Sequence, residues 1–344
     1  MSELLKPIVI GDYFHGGEMG WAWYHHNHSR LAIIGDNELS PKRAIVRELA
    51  RELQKRDEKV VYWVTGEEDL APGQEYSVDA IYWIEELPDP PIEYVDRDIF
   101  IENRKFFSSA YMQLLCKIRG TNPRLIFPTI SYRSHIEGPM HGYLRAINQV
   151  QDHEVKEWFV RKFEELQTVS WTQTKEEGRK YYICRNGSIY EKALSLLKAL
   201  WSFWAYTAKM DSPQQLMLII EPPKELLLHT DDPIIRNILG EALRIMKYLT
   251  EELTLSLVLS SEAMYPILDH HYRYKIIFQT KDSDIDLWDE ENQKNIGYPP
   301  LYEAWQNGRI EAGLFEDSYT GNLYALFFRT DNMRYMDEFE DEIT

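Results

Sequence analysis

The residues best suited to bind a ligand lie in one short loop, in the sequence GDNELSPK. Gly35 ends an apolar run, and Ser40 and Lys42 follow at the start of a helix-like segment. Glycine lets a backbone wrap an anion, and the amide groups at a helix N-terminus favour negative charge. The layout therefore predicts a vestigial phosphate-binding loop that contains Gly35, Ser40 and Lys42.

The loop departs from the phosphate-loop pattern GxxxxGK[ST] at the positions that carry its chemistry. Counted from Gly35, the lysine slot holds Pro41, which has neither a charge nor an N–H group. Asp36 and Glu38 add two negative charges where a triphosphate would sit. Lys42 comes one residue late, which turns a helical side chain by about 100°. We expect the architecture to be kept and the catalytic chemistry to be lost, so no catalytic residue is predicted.

The segments on either side of the loop are a buried strand and an amphipathic helix. Residues 31–34 are apolar and β-branched, which favours a strand. After the loop, apolar residues recur at helical spacing at Ala44, Ile45, Val46, Leu49, Ala50 and Leu53. Ser40 is the predicted N-cap, and Pro41 is the predicted first helical residue.

The rest of the chain predicts an α/β fold with a mostly parallel sheet, helices on both faces and the strand at 31–34 near its centre. The strand-like runs LAII, LMLII and LSLVL show no period-two alternation, which indicates burial on both faces. Further strands are expected at 59–64, 79–84, 125–130, 180–184 and 275–278, with hairpins turned at Gly16-Gly17 and between 310–315 and 323–329.

Four regions are expected along the chain: a first part of the core at 1–85, a mostly helical insertion at 86–167, a second part of the core at 168–335 and an acidic tail at 336–344. Within them, helices are predicted at 102–119, 140–166, 188–206 and 233–249, the last capped by Asp232. The helix at 188–206 is apolar nearly all round, which fits burial under the insertion better than a subunit interface.

The composition of the chain limits the classes of partner and the cellular compartment that we expect. The formal net charge of −18 argues against general nucleic-acid binding, which leaves DNA contact only through a local basic patch. Cys116 and Cys184 are the two cysteines, which favours a reducing, cytoplasmic setting. No apolar run approaches the ~18 residues that span a bilayer, and MSELLKPIVIGDY has no signal-peptide core, so no membrane insertion is expected.

Three histidines, His25, His26 and His28, precede the first core strand. Imidazoles at this spacing can bind zinc. Because no cysteine or carboxylate has matching spacing, a polar lead-in to the strand is the favoured interpretation, and no metal site is predicted.

These segments, taken in order, resemble the HerA/FtsK superfamily of hexameric DNA-translocating P-loop ATPases, on its RecA-like branch. HSRLAIIG resembles the segment that leads into the family's phosphate loop, and LMLIIEPPKELL resembles its Walker B strand with the following helix. LSLVLSSEAMYPILDHHYRYKIIFQTKDSD resembles the sensor strand and the next strand, and GRIEAGLFEDSYTGNLYALFFR resembles the closing hairpin. The resemblance implies a RecA-like P-loop NTPase core.

The chain departs from the family pattern at the positions that carry the family's catalytic chemistry. Glu221 stands at the Walker B acid, Pro222 replaces the glutamate that polarises water, and Glu262 occupies the sensor position. Arg273 resembles a trans-acting arginine, although a surface pair with Asp269 is the simpler interpretation.

The resemblance and its departures together imply a pseudo-ATPase with a structural or regulatory role in a ring or multi-subunit complex. It would associate with itself or with an active ATPase homologue, and no cofactor is expected. One alternative is an active or nucleotide-binding DNA translocase with an atypical phosphate loop, which would need ATP and Mg²⁺. Another is a non-enzymatic adaptor of a mobile-element or secretion apparatus.

Overall fold

The computed structural model of the chain describes residues 7–21, 30–55, 60–66, 76–80, 97–122, 145–164, 168–174, 176–184, 186–208, 216–228, 231–252, 255–262, 272–279 and 299–335. The strands among them are β1 (Ile8–Tyr13), β2 (Glu18–Trp21), β3 (Arg30–Ile34), β4 (Val60–Thr65), β5 (Tyr76–Ala80), β6 (Thr168–Thr174), β7 (Gly178–Tyr182), β8 (Leu216–Ile220), β9 (Leu255–Ser261), β10 (Tyr274–Ile277), β11 (Ala312–Asp317), β12 (Asn322–Phe328) and β13 (Arg334–Tyr335).

The helices of the described residues are α1 (Lys42–Gln54), α2 (Arg97–Arg119), α3 (His153–Glu164), α4 (Ile189–Ala208), α5 (Lys224–Leu228), α6 (Pro233–Glu252) and α7 (Pro299–Gln306). Among them, none combines the length and the apolar character that crossing a bilayer requires.

One sheet joins these strands in the order β13-β1-β12-β11-β10-β3-β9-β8-β4-β7-β6-β5, with β2 paired to β1. The six strands at the centre of this order, β10, β3, β9, β8, β4 and β7, run parallel to one another. Both flanks are antiparallel, with β6 and β5 on one side and β11, β12, β1, β2 and β13 on the other.

The predicted parallel sheet is thus present as a six-stranded centre that contains β3. The expectation that the whole sheet is mostly parallel was wrong, because antiparallel strands extend it on both sides. Parallel strands need long crossover connections, whereas the flanking strands of a hairpin need only a tight turn. At Gly16 and Gly17 that turn uses φ values of +92° and +98°, which glycine adopts without strain.

The core lies on both faces of the sheet. Along β3, Leu31 and Ile33 pack with the apolar side of α1, whereas Ala32 and Ile34 face the cluster that contains α2, α4 and α6. This alternation explains why residues 31–34 of β3 are all apolar: they are buried on both faces of the sheet. The prediction of helices on both faces is confirmed.

Helix α4 is buried, as its composition favours. Its largest side chains, Trp201, Phe203 and Trp204, are at most 1% exposed, and Phe107 of α2 packs against both tryptophans. The described helices of the region 86–167 therefore share a hydrophobic cluster with the sheet. The domain boundaries stay a prediction.

One predicted helix is interrupted in the structure, and one predicted helix cap is present. The helix expected at 140–166 is interrupted at 149–152, because Asp152 accepts the amide of Val155 at 3.1 Å and starts α3 as a new helix. Asp232 does cap α6, accepting the amides of Ile234 and Ile235 at 2.8 and 3.3 Å.

Several predicted features lie outside the described residues. They are the histidines at 25, 26 and 28, the strand at 125–130, Asp269, and the acidic tail at 336–344.

Candidate functional site

The loop between β3 and α1 is closed by hydrogen bonds to itself. The amide of Ser40 donates to the carbonyl oxygen of Asp36 at 3.0 Å, and the Ser40 hydroxyl donates to the same oxygen at 2.6 Å. The Asp36 carboxylate accepts the amide of Glu38 at 2.7 Å. The prediction that Ser40 is the N-cap of α1 was therefore wrong. Its hydroxyl donates back into the loop, and Pro41 is the N-cap residue, without a side-chain hydrogen bond to the helix.

The start of the loop is tied to the neighbouring strands. The amide of Gly35 donates to Ser261 at 3.0 Å, and that of Asp36 donates to Gln279 at 3.2 Å. Four loop amides, those of residues 35, 36, 38 and 40, therefore already have protein acceptors. A phosphate held by backbone amides would have to displace these bonds.

Gly35 is needed because the chain is crowded around it. A Cβ atom at this position would lie 2.6 Å from the Ser40 hydroxyl oxygen and 2.8 Å from Cβ of Phe278. Such distances are shorter than van der Waals contact, so Gly35 serves the close packing of the loop on the sheet.

A cavity of about 240 Å³ opens beside the loop at the carboxyl ends of β4, β8 and β9. This edge of a parallel sheet is where ligands commonly bind. Among the described residues, its lining includes Asn37, Lys42, Arg43, Gly66, Lys192, Glu221, Pro222, Pro223, Lys224, Glu225, Ser260 and Glu262.

Lys42 reaches this cavity and is only 3% exposed. Lys42 is the first residue of α1, and whether its later position turns it away from a bound phosphate stays a prediction. Burial lowers the pKa of Lys42 to about 8, and the carboxylates of Glu262 and Glu221 oppose this shift. Among the described residues, Lys42 has no hydrogen bond and no carboxylate within 4 Å.

Glu221 ends β8 and is 8% exposed. Its carboxylate accepts the indole N–H of Trp63 at 2.7 Å, and its amide donates to the carbonyl of Val64 at 2.8 Å. The carboxylate is thus held between two neighbouring parallel strands. The next residue is Pro222, which also lines the cavity and has no group for acid–base chemistry.

Glu262 follows β9 and is engaged from two sides. It accepts the side-chain amide of Asn37, and it forms an ion pair with Lys224 at 3.5 Å. An amide at this position could read a phosphate, whereas this carboxylate presents a negative charge that is already paired.

Three of the five predicted site residues, Lys42, Glu221 and Glu262, line the cavity, while Gly35 and Ser40 build the loop beside it. Whether these residues bind a ligand stays a prediction. Asp36 and Glu38 are not among the described residues that line this cavity. Whether they would lie against a triphosphate stays a prediction.

Six polar residues of the cavity lining were not predicted as site residues: Asn37, Arg43, Lys192, Lys224, Glu225 and Ser260. Ser260 lies in a run of strand residues that reads only as apolar burial. Lys192 and Lys224 come from α4 and α5, and the sequence shows no spacing that links them to the loop.

Arg273 does not extend freely toward a neighbouring subunit. Its guanidinium lies 3.4 Å from the Asp317 carboxylate and stacks over the rings of Tyr274 and Tyr319, with centroid distances of 5.1 and 4.8 Å. Its partner is thus a residue of the closing hairpin, and Asp269 lies outside the described residues. Within the described part of the chain, no group of three or more His, Cys, Asp or Glu side chains could hold a metal ion.

No protein-family profile and no curated protein matches the sequence. Among solved structures, the cytoplasmic domain of the type VII secretion ATPase EccC from Thermomonospora curvata is similar over 94% of this chain, at 12% identity and a TM-score of 0.40. The pCW3 conjugation coupling protein TcpA, in a monomer form with ATPγS, is similar over 94% at 11% identity and a TM-score of 0.38.

A second EccC structure, of ATPases 2 and 3 in complex with a signal sequence peptide, is similar over 98% of this chain at 11% identity and a TM-score of 0.38. The chain spans 28%, 66% and 45% of the lengths of these three structures.

Proposed function

We propose that the chain is a catalytically degenerate homologue of HerA/FtsK-like ATPases, with a structural or regulatory role in a ring or multi-subunit complex. The observation that carries this proposal is the self-closed loop. The amide and the hydroxyl of Ser40 both donate hydrogen bonds to the Asp36 carbonyl oxygen. In an active loop, donors at this place would bind a phosphate. An ATP molecule would meet no preformed phosphate cradle here.

The end of β8 supports the same proposal independently. Glu221 keeps a carboxylate at the cavity, but Pro222 takes the place of the residue that would activate water. Restoring one of these two sites leaves the other without function. The proposed loss is therefore a property of the whole site rather than of one position.

An active or nucleotide-binding translocase is the second candidate, because the ammonium group of Lys42 lies in the same cavity as Glu221. In that case Lys42 would contact a phosphate from its position on the first turn of α1. The candidate requires the loop to give up its internal hydrogen bonds and a water-activating group to come from elsewhere. We therefore rank it below the degenerate ATPase.

Charge bears on the choice of partner. A chain with a net charge of −18 repels its own copies unless cations line the contact. Lys42 is buried, and the Arg273 side chain is paired with Asp317 and only 20% exposed, so neither is a free surface cation. We propose that the partner is an active ATPase homologue with a basic contact surface, with self-association as the alternative.

Multi-angle light scattering across a series of salt concentrations tests this role. The purified protein is measured alone and with candidate HerA/FtsK-like ATPases, and the ATP turnover of each candidate is followed in parallel. We expect a mixed complex whose stability falls as salt rises, because screening weakens attraction between opposite charges. A strict monomer that neither binds any such ATPase nor alters its turnover would contradict the proposed role.

A further inference from the structure

We propose that the cavity binds a small oxyanion of the size of inorganic phosphate, held by Lys42 and Ser260. This inference rests on the proposed loss of the nucleotide site, since it gives the same cavity a smaller ligand. It does not require the loop between β3 and α1 to open.

The lining is more positive than the chain around it. Four cations meet three carboxylates there, which leaves one excess positive charge on a chain whose net charge is −18. The cations are Lys42, Arg43, Lys192 and Lys224, and the carboxylates are Glu221, Glu225 and Glu262. The formal charge of the described lining is therefore opposite in sign to that of the whole protein, which favours an anion as the ligand.

Two donors in the lining have no hydrogen-bond partner among the described residues. The Ser260 hydroxyl oxygen is buried without a hydrogen bond in a residue that is 2% exposed. Lys42 is 3% exposed, and within the described residues its ammonium group has no hydrogen bond and no carboxylate within 4 Å. Buried polar groups are almost always paired, so two unpaired donors at one cavity point to a ligand that accepts from both.

The other two lysines add charge at longer range. Lys224 lies 3.5 Å from Glu262, and Lys192 lies 3.4 Å from Glu225. These distances exceed those of strong charge-assisted hydrogen bonds, which measure about 2.7–2.9 Å. Each lysine is thus only loosely held by its carboxylate, and an oxyanion can share it.

The size of the cavity favours a small ligand over a nucleotide. Pockets for drug-sized molecules measure about 300–1,000 Å³, and this cavity measures about 240 Å³. The self-closed loop and the Pro222-Pro223 segment border it, and neither offers the amide cradle that a triphosphate chain uses.

Isothermal titration of inorganic phosphate into the full-length protein, in a phosphate-free and sulfate-free buffer, tests the inference. We expect saturable binding with one site per chain. Lys42→Met should weaken it at least about tenfold, because it removes a charge-assisted donor. Ser260→Ala, which deletes only one oxygen, should weaken it several-fold and covers the case in which Lys42→Met fails to fold.

The matched control is Lys55→Met, the same substitution at the other end of α1, where the side chain is 58% exposed and paired with Glu52. It should bind phosphate as the wild type does. ATP is titrated in parallel and should bind no more tightly than phosphate.

Three results would overturn the inference: no saturable phosphate binding by the wild type, undiminished binding by both cavity variants, or tighter binding of ATP than of phosphate. A different result would refute the proposed function. ATP turnover by the wild type would refute it whether or not phosphate binds, and an inactive protein that ignores phosphate refutes only the present inference.

Discussion

At the scale of single residues, the cavity is defined by how each charged group is compensated. Glu221 has an indole donor at 2.7 Å, Glu262 has an amide and a lysine, and Lys42 has no ion pair within 4 Å among the described residues. Two predictions follow from these differences, one for a buried carboxylate and one for a buried ammonium group.

Trp63→Phe should destabilise the fold more than Trp201→Phe. Both rings are at most 4% exposed, but the N–H of Trp63 donates to the Glu221 carboxylate, whereas the N–H of Trp201 has no acceptor within the described part of the chain. Hydrogen bonds to charged groups contribute about 1.5–3 kcal/mol, so the free energy of unfolding should differ by about that amount between the two variants. Urea unfolding measures it, and equal losses would show that the indole donor does not stabilise Glu221.

The stability of the protein relative to Lys42→Met should rise with pH above about 8. The pKa of Lys42 is lowered to about 8 in the folded state from an ordinary value of 10.5. Between these two values the unfolded chain binds more protons, so unfolding becomes less favourable as pH rises. The difference approaches about 3 kcal/mol at the upper end and is constant below pH 8. Denaturant unfolding of both proteins from pH 7 to 10 measures it, and parallel curves would contradict a buried, uncompensated ammonium group.

At the scale of elements, the decisive unit is β3, its loop and α1. The strand supplies apolar side chains to both faces of the sheet, and the helix packs its apolar side on one of them. The loop that joins them is short and crowded, which makes its backbone sensitive to any added atom.

Gly35→Ala should lower the free energy of unfolding by about 1–3 kcal/mol, the usual cost of overpacking a filled site. The new methyl group would meet Ser40 at 2.6 Å and Phe278 at 2.8 Å. Gly66→Ala is the matched control at the end of β4, since among the described residues the nearest neighbour of its new methyl group is Pro223 at 3.9 Å. Thermal unfolding compares the two, and a harmless Gly35→Ala would mean that the loop is looser than the contacts at Gly35 indicate.

Much of this unit could be predicted from the sequence, for physical reasons. Apolar runs such as LAII and LMLII must be buried, so the strands could be predicted from the residues alone. That Lys42, Glu221 and Glu262 belong to one site was implied by the family resemblance. The hydroxyl of Ser40 could not be assigned, because a serine before a helix can cap it or turn back with similar free energy. Ser260, Lys192 and Lys224 meet only through the packing of distant segments.

At the scale of the whole molecule, the antiparallel flanks are the main departure from expectation. Strand β6 has the sequence TVSWTQT, whose polar residues give no strong apolar signal. It pairs with β7 through a short hairpin, whereas its pairing with β5 joins segments that are distant in the sequence. The flanks enlarge a sheet whose parallel centre carries the cavity. We propose that this α/β architecture serves assembly instead of catalysis.

ATP turnover by the purified full-length protein tests this central claim most directly. Steady-state phosphate release is measured for the wild type, Lys42→Ala and the control Lys55→Ala. The triple variant Ser40→Gly, Pro41→Lys, Lys42→Thr is included because it restores the loop pattern while Pro222 remains. The account predicts that all four proteins stay at background. Turnover by the wild type that persists in Lys55→Ala and vanishes in Lys42→Ala would contradict it.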